Sequence, residues 1–192
     1  LTDKQKAIYV QMKKSALAFV ETEGMISAST ILTQIIRLQQ VCSGFAKLDD
    51  GKTIYLTNNK LPELMSALEE TDGKVIIWAN FTYDIESISA KLSDIYGSNT
   101  VASYYGATPN DERQKIVETF QDPQSELRFF VGQPRTGGFG LTLTQAHTII
   151  YYSNGYDLEV RLQSEDRAHR IGQTNKVTYI DIIAEKTIDE KI

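Results

Sequence analysis

From residue 53 onward the chain alternates short apolar runs with segments of helical periodicity, and no other feature limits its fold as tightly. The runs fall at 53–56, 74–79 (K-V-I-I-W-A), 100–104, 128–132 (R-F-F-V-G), 148–152 (T-I-I-Y-Y) and 177–183 (V-T-Y-I-D-I-I). Helical segments lie between them at 60–70, 82–96, 109–120 and 157–170. In 82–96, Ile85, Ile88, Leu92 and Ile95 recur at the spacing of a core-facing stripe. Near-continuous apolar strands separated by helices indicate a parallel sheet covered on both faces.

The first 50 residues read differently and show no convincing strand. Thr2 is placed to cap a helix carrying Ala7, Ile8, Met12 and Leu17, and a second helical run over 30–41 carries Ile31, Ile35, Leu38 and Val41. Asp49-Asp50-Gly51 then punctuates the chain. The expected fold is therefore α/β and three-layered, with a helical N-terminal appendage over 1–52 and the sheet domain over 53–192.

The 192 residues suffice for one domain with a small appendage, and 41% hydrophobic content is ordinary for a globular chain. No apolar run approaches the ~20 residues of a membrane span, and no signal peptide opens the chain, so no membrane partner is expected. Cys42 alone cannot build a disulfide framework and points to a reducing, intracellular setting. His147 and His169 lack cysteine or acidic partners at ligand spacing, so no metal site is expected. A net charge of −5 argues against a generic basic nucleic-acid binder; any DNA contact has to be a small local patch.

Chemistry concentrates in Gln163–Gln173 (Q-S-E-D-R-A-H-R-I-G-Q). On a helix, Gln163, Arg167 and Arg170 fall within roughly 60° of one another. Two guanidinium forks on one face match what a transferring phosphoryl group requires. The same pattern also reads as a solvated face stapled by Glu165 and Asp166. Residues 131–142 (V-G-Q-P-R-T-G-G-F-G-L-T) form a glycine-rich loop after an apolar strand, where amides can face an anion or simply make a tight turn. Thr108-Pro109-Asn110-Asp111 is a helix start in which Thr108 is expected to cap, and such a terminus attracts phosphate. A G-x-x-x-x-G-K-[ST] phosphate loop is absent, and neither Asp111-Glu112 nor Asp189-Glu190 ends an apolar strand. A self-sufficient ATPase is excluded on those grounds.

The string Q-x-x-D-R-x-H-R-I-G-Q closely resembles the last helicase motif of Swi/Snf-type DNA translocases, a branch of superfamily two. DEAD-box RNA helicases share the H-R-I-G core but continue it with arginine and T-G-R, where this chain has Gln173, Thr174 and Asn175. The opening L-T-D-K-Q-K-A-I-Y, the stretch I-R-L-Q-Q-V-C-S and the ending T-I-D-E-K-I resemble successive parts of the same family's second, RecA-like motor lobe.

The resemblance implies that Arg167 and Arg170 are arginine fingers and that Gln163, Gly138 and Gly140 lie by the nucleotide. It implies a DNA-facing set of Asn80 and Thr82, Gly106 and Thr108, Arg135 and Tyr156. Here 74–82 is similar to K-V-L-I-F-S-Q-F, and Tyr156 holds the place of a minor-groove aromatic. ATP would be shared with a first lobe of the same polypeptide, which would hold the Mg2+, and the isolated lobe would be inactive. The further expectations are double-stranded DNA as partner, a monomer, and a cytoplasmic or nucleoid-associated location (nuclear in a eukaryote).

Several departures accompany the likeness. Thr136 and Thr142 stand for the usual alanine and asparagine of R-A-G-G-x-G-x-N. S-N-G-Y-D-L at 153–158 replaces D-x-D-W-N-P, and Arg161 replaces an aspartate. They point to a divergent branch, bacterial or phage-encoded. Two rivals stay open: a non-catalytic module that binds nucleic acid or protein, and an RNA helicase lobe, which Gln173 and Asn175 disfavour.

Overall fold

In this computed structural model the backbone is described for residues 1–23, 28–48, 50–136, 141–171, 173 and 175–192, and the side chains for the same residues except 16–23, 28 and 29. The chain forms two compact units, Leu1–Glu63 with Ile183–Ile192 and Leu64–Ile182.

The first unit opens with α1 (Asp3–Glu23) and α2 (Ala28–Ser43). Thr2 caps α1 as expected, in a reciprocal box: Gln5 N donates to Thr2 Oγ1 at 3.4 Å and Thr2 N donates to Gln5 Oε1 at 2.9 Å. The Gln5 amide then donates to the Val41 carbonyl at 2.8 Å and so ties α1 to the end of α2. Tyr9, Leu38, Val41, Cys42, Leu56 and Ala184 form the buried cluster of this unit.

Two short strands, β1 (Phe45–Lys47) and β2 (Thr53–Tyr55), pair antiparallel with Ala46 opposite Ile54. This corrects the expectation on two points. The 53–56 run belongs to a hairpin rather than to the parallel sheet, and the N-terminal region does contain a strand. A strand of three residues carries too little periodicity to reveal its pairing partner.

Helix α3 (Lys60–Glu69) begins in the first unit and continues into the second. The second unit contains β3 (Lys74–Trp78), α4 (Thr82–Tyr96), β4 (Val101–Tyr104), α5 (Asn110–Gln121), β5 (Phe129–Gly132), β6 (Ala146–Tyr151), α6 (Leu158–Glu165) and β7 (Thr178–Asp181). Its five strands are all parallel, in the order β4-β5-β3-β6-β7.

Strand alternation sends Ile76, Trp78, Phe130, Ile149 and Tyr151 into one buried cluster with Phe120 of α5. On the other face α4 covers the sheet: Ser89 and Ser103 are hydrogen-bonded at 2.8 Å, and the Tyr96 and Phe129 rings lie 5.0 Å apart. The α/β parallel architecture with helices on both faces is as expected. Of the stripe on α4, Ile85, Ile88 and Leu92 are buried while Ile95 is exposed. At the end of β5, Gly132 fits only because it lacks a Cβ, which would sit 2.6 Å from the Tyr104 carbonyl and 3.2 Å from the Trp78 ring. Among the described residues no helix is long and apolar enough to cross a membrane.

Within the first unit, Lys60 and Asp189 form an ion pair at 2.6 Å with side chains only 6% and 9% exposed. Asp189 Oδ2 also accepts from Ala184 N at 3.1 Å, so the carboxylate is held on two sides. Burial, together with the Asp189 charge, pushes the nearby Cys42 thiol up to about 12, leaving it protonated and unreactive at neutral pH. Removing one partner of a buried pair strands the other charge, which costs about 3–5 kcal/mol. Lys60→Met is therefore expected to lose about 3–5 kcal/mol in urea unfolding. The pair Lys60→Met with Asp189→Asn, which keeps the acceptor for Ala184 N, should recover much of that loss. Equal losses in the single and double variants would show that the pair is not the source.

Candidate functional site

In an open parallel sheet, ligands gather outside the carboxyl ends of the strands, near the point where the chain's connections change direction. Here β3 is followed by a strand to one side of it and β6 by a strand to the other, so that point lies between β3 and β6. The loops leaving these two strands are laced together. Asn80 N donates to Ser153 Oγ at 2.9 Å, and Ser153 Oγ donates to Asp84 Oδ2 at 3.2 Å. Gln133, just after β5, donates from Nε2 to the Asn80 carbonyl at 3.0 Å. Thr82 is the first residue of α4, and no side chain caps that helix.

The loop after β6 carries the exposed aromatic. Tyr156 is 44% exposed, so it is no part of the core. One residue on, Asp157 caps α6 by accepting from Val160 N at 3.3 Å, while its second oxygen accepts from Arg135 Nη2 at 3.0 Å. Arg135 is otherwise well exposed, with 71% of its side chain in solvent. A cleft of 20 Å³ runs between these loops, lined by Asn80, Pro134, Arg135, Ser153, Asn154 and Arg161 among others. It is large enough for little more than a water molecule.

The turn after β4 departs from expectation. Helix α5 begins at Asn110 with Pro109 in the cap position and no side-chain cap. Thr108 does not cap it. Its hydroxyl donates to the Ser103 carbonyl at 3.1 Å and accepts from Tyr105 N at 3.0 Å, closing the turn instead. The carbonyls of Tyr105, Gly106 and Thr108 converge on the Arg113 guanidinium at 3.2, 3.4 and 3.0 Å. Gly106 faces open space.

The arginine pair is placed differently from the sequence reading. α6 ends at Glu165, so Arg167 and Arg170 lie in the turns that follow it and share no helical stripe with Gln163. The Gln163 amide is engaged along the helix, donating to Glu159 Oε1 at 2.9 Å. Arg167 is only 6% exposed, with its guanidinium 5.0 Å from the centre of the Trp78 ring. Burial lowers its affinity for its proton. Nη2 donates to the Pro134 carbonyl at 2.6 Å, whereas the buried Nη1 has no hydrogen-bond partner among the described residues. The Arg167 carbonyl accepts from Leu143 N at 2.8 Å. Arg170 is exposed and donates to Thr142 Oγ1 at 3.1 Å. Both arginines thus hold on to the flanks of the 137–140 segment. Gly138 and Gly140 lie outside the described residues.

Gln173 donates through Nε2 to the carbonyls of Thr144, Ala146 and Ala168, at 2.9, 3.2 and 3.2 Å, and fastens the end of the motif to the start of β6. Sequence reasoning passed over Gln133, Ser153 and Asn154. The usable signal was their position, since polar residues directly after buried parallel strands line the ligand edge.

Removing a half-exposed aromatic forfeits little packing. Tyr156→Ala is expected to lose less than about 1 kcal/mol in a thermal melt, against about 3–5 kcal/mol for Tyr151→Ala in the core. A large loss at Tyr156 would return that residue to a packing role.

Comparison with known proteins gives a consistent picture. The family described as "Helicase conserved C-terminal domain" matches residues 56–172. The chromatin structure-remodeling complex subunit snf21 of Schizosaccharomyces pombe is 26% identical over 204 residues, covering 98% of this chain and 17% of that protein. Among solved structures, the Sulfolobus solfataricus SWI2/SNF2 ATPase core in complex with dsDNA superposes with a TM-score of 0.78 at 25% identity, over 100% of this chain and 40% of that one. The C-terminal part of the Fun30 ATPase domain, at 18% identity, shares the fold with a TM-score of 0.77 over 100% of this chain and 84% of its own. The chain spans less than a fifth of the length of the first curated relatives it matches.

Proposed function

Because this chain belongs to the helicase conserved C-terminal domain family, with Swi/Snf-type ATPases among its relatives, we propose that it is the second motor lobe of an ATP-dependent double-stranded DNA translocase. Residues 53–192 are the lobe, and residues 1–52 are its helical lead-in. ATP binds between this lobe and a first lobe of the same polypeptide, which holds the Mg2+. The protein works on DNA as a monomer, inside the cell.

The observation that carries this reading is the way Arg167 and Arg170 are bonded to residues flanking the glycine-rich segment, with one buried Arg167 donor left over among the described residues. A buried guanidinium N–H without a partner among the described residues is costly, and in native proteins such groups are commonly satisfied by an ordered water, an ion or a ligand. A phosphate oxygen is the acceptor that suits it. ATP brings the transferable phosphoryl group and its developing negative charge. This chain's part is to place two fixed cations and the amides around Gly138 and Gly140 against that charge, with Gln163 beside the nucleotide. Because Arg167 is wedged between Trp78 and Pro134, its position depends on the loop after β5. Any movement of that loop against DNA therefore reaches the arginine, coupling hydrolysis to stepping.

The DNA-facing edge consists of Asn80 and Thr82, the turn holding Gly106 and Thr108, Arg135, and Tyr156. Its support is geometric: Tyr156 and Arg135 are exposed at the carboxyl edge of the sheet and joined through Asp157. A net charge of −5 is compatible with contact through so small a patch.

In the complete polypeptide, Arg170→Ala is expected to lower kcat by ~10³-fold while leaving duplex affinity nearly unchanged. Arg167→Ala should do the same and also cost stability, because its side chain packs on Trp78. Lysine should restore little at either position for want of the planar fork. Near-normal hydrolysis by Arg170→Ala would sink the finger assignment and favour a non-catalytic module.

Arg135→Ala should reduce the slope of log affinity for duplex DNA against log salt by about one unit. An unchanged slope would remove Arg135 from the phosphate-contacting set.

A further inference from the structure

Arg161 engages three side chains through its guanidinium and stacks on a fourth. Its Nε donates to Glu165 Oε1 at 2.6 Å, one helical turn on. Nη1 donates to Asp181 Oδ1 at 2.6 Å and to Asn154 Oδ1 at 2.9 Å, and Nη2 reaches Asp181 Oδ2 at 3.1 Å. The guanidinium carbon lies 3.4 Å from the centre of the Tyr151 ring. Asn154 closes the circuit by donating to Asp181 Oδ1 at 2.7 Å. One planar cation thus joins the loop after β6, the helix α6 and the end of β7.

The members of this circuit stiffen one another. Burial opposes charge on Asp181, but the hydrogen bonds from Arg161 and Asn154 outweigh it and hold the carboxyl below its ordinary range. Asp181 therefore stays ionised down to lower pH than a free carboxylate. Burial likewise opposes the Arg161 charge, and its bonds to Asp181 and Glu165 more than offset that. The short loop is pinned on both sides of its tip: Ser153 by Asn80 and Asp84, Asn154 by Arg161 and Asp181, and Asp157 by Arg135 and the first turn of α6. Gly155 and Tyr156 lie between these anchors and are both exposed.

We propose that Arg161 is a positioning residue, which through Asn154 and Asp181 fixes the loop that presents Tyr156 to duplex DNA. It acts on the tracking surface without touching the duplex. The inference rests on the DNA-facing reading of Tyr156 given above. An immobile tip transmits the lobe's displacement to the strand it grips, whereas a loose tip lets the strand slip while ATP is still consumed. A lysine here keeps the charge but cannot reach Glu165, Asp181 and Asn154 at once.

The test uses the complete polypeptide with duplex DNA and ATP, comparing Arg161→Ala, Arg161→Lys, Asn154→Ala, Tyr156→Ala and the double variant Asn154→Ala/Tyr156→Ala. Hydrogen exchange in peptides covering 152–158 should speed up at least about tenfold in Arg161→Ala and Asn154→Ala, with 74–79 and 128–132 unchanged. Asn154→Ala serves where Arg161→Ala folds poorly, because it leaves both ion pairs in place. In Arg161→Ala and Asn154→Ala, DNA-stimulated hydrolysis should stay within about twofold while base pairs moved per ATP fall several-fold. The double variant should be no worse than Tyr156→Ala, as residues acting through one loop are non-additive. Arg161→Lys should restore little of the coupling.

Three results would overturn the proposal: unchanged exchange at 152–158, normal coupling in both Asn154→Ala and Arg161→Ala while Tyr156→Ala uncouples, or full rescue by lysine. If instead Tyr156→Ala alters neither duplex affinity nor coupling, it is the DNA-facing reading of the loop that fails, and the positioning role falls with it.

Discussion

Everything in the second unit follows from burying β3 on both faces. Val75, Ile76, Ile77, Trp78 and Ala79 are all removed from water, and its neighbours β5 and β6 both run parallel to it. Each large apolar side chain so buried contributes about 1.5–3 kcal/mol, which requires a helical layer on either side of the sheet. Parallel pairing also forces every connection to cross from one end of the sheet to the other, so the carboxyl ends of all five strands share one edge. The loops after β3, β5 and β6 meet there because the strand order leaves them nowhere else to go. Asn80, Gln133 and Ser153 interlock at that edge, each the first or second polar residue after a buried strand.

The arginine segment shows how the same core shapes chemistry. A guanidinium buried against Trp78 is expensive unless its donors are satisfied, and the Pro134 carbonyl satisfies only part of it. Arg167 is therefore half structural and half available. Arg170, three residues on, is exposed and donates to Thr142. Thr142 stands where asparagine is usual in the resembling motif, and its hydroxyl supplies an acceptor for Arg170 from that place. The two arginines thus differ in burial, although the motif writes them as equivalents.

Long, strongly periodic segments were legible in the sequence, and short or tertiary-controlled ones were not. Helix α4 covers the expected 82–96, and the parallel sheet has the expected apolar runs apart from the first. That first run is β2, whose three residues could not disclose an antiparallel partner at Phe45–Lys47. The helix expected over 157–170 stops at Glu165. The residues beyond it favour a helix locally, but Leu143 N claims the Arg167 carbonyl and Trp78 draws the arginine inward. Tertiary contacts override propensity there. Thr108 was similarly diverted from its cap to the turn it closes. At the site, residue type marked Arg135, Arg167, Arg170 and Tyr156 as notable. Their partners were invisible, because Asp157, Pro134 and Thr142 are common residues whose roles exist only once the strands are assembled.

The Lys60–Asp189 pair has a mechanical meaning. The beginning of the chain and its final ten residues belong to one compact unit, so the parallel sheet is in effect an insertion between two stretches of that unit. Tension applied along the polypeptide, between Leu1 and Ile192, would load the first unit before it loads any strand of the sheet. The buried charges at 2.6 Å, together with the bond from Ile188 N to the Tyr9 hydroxyl at 2.7 Å, stand in the path of that force. While they hold, a pull between Leu1 and Ile192 leaves the strands of the parallel sheet in register.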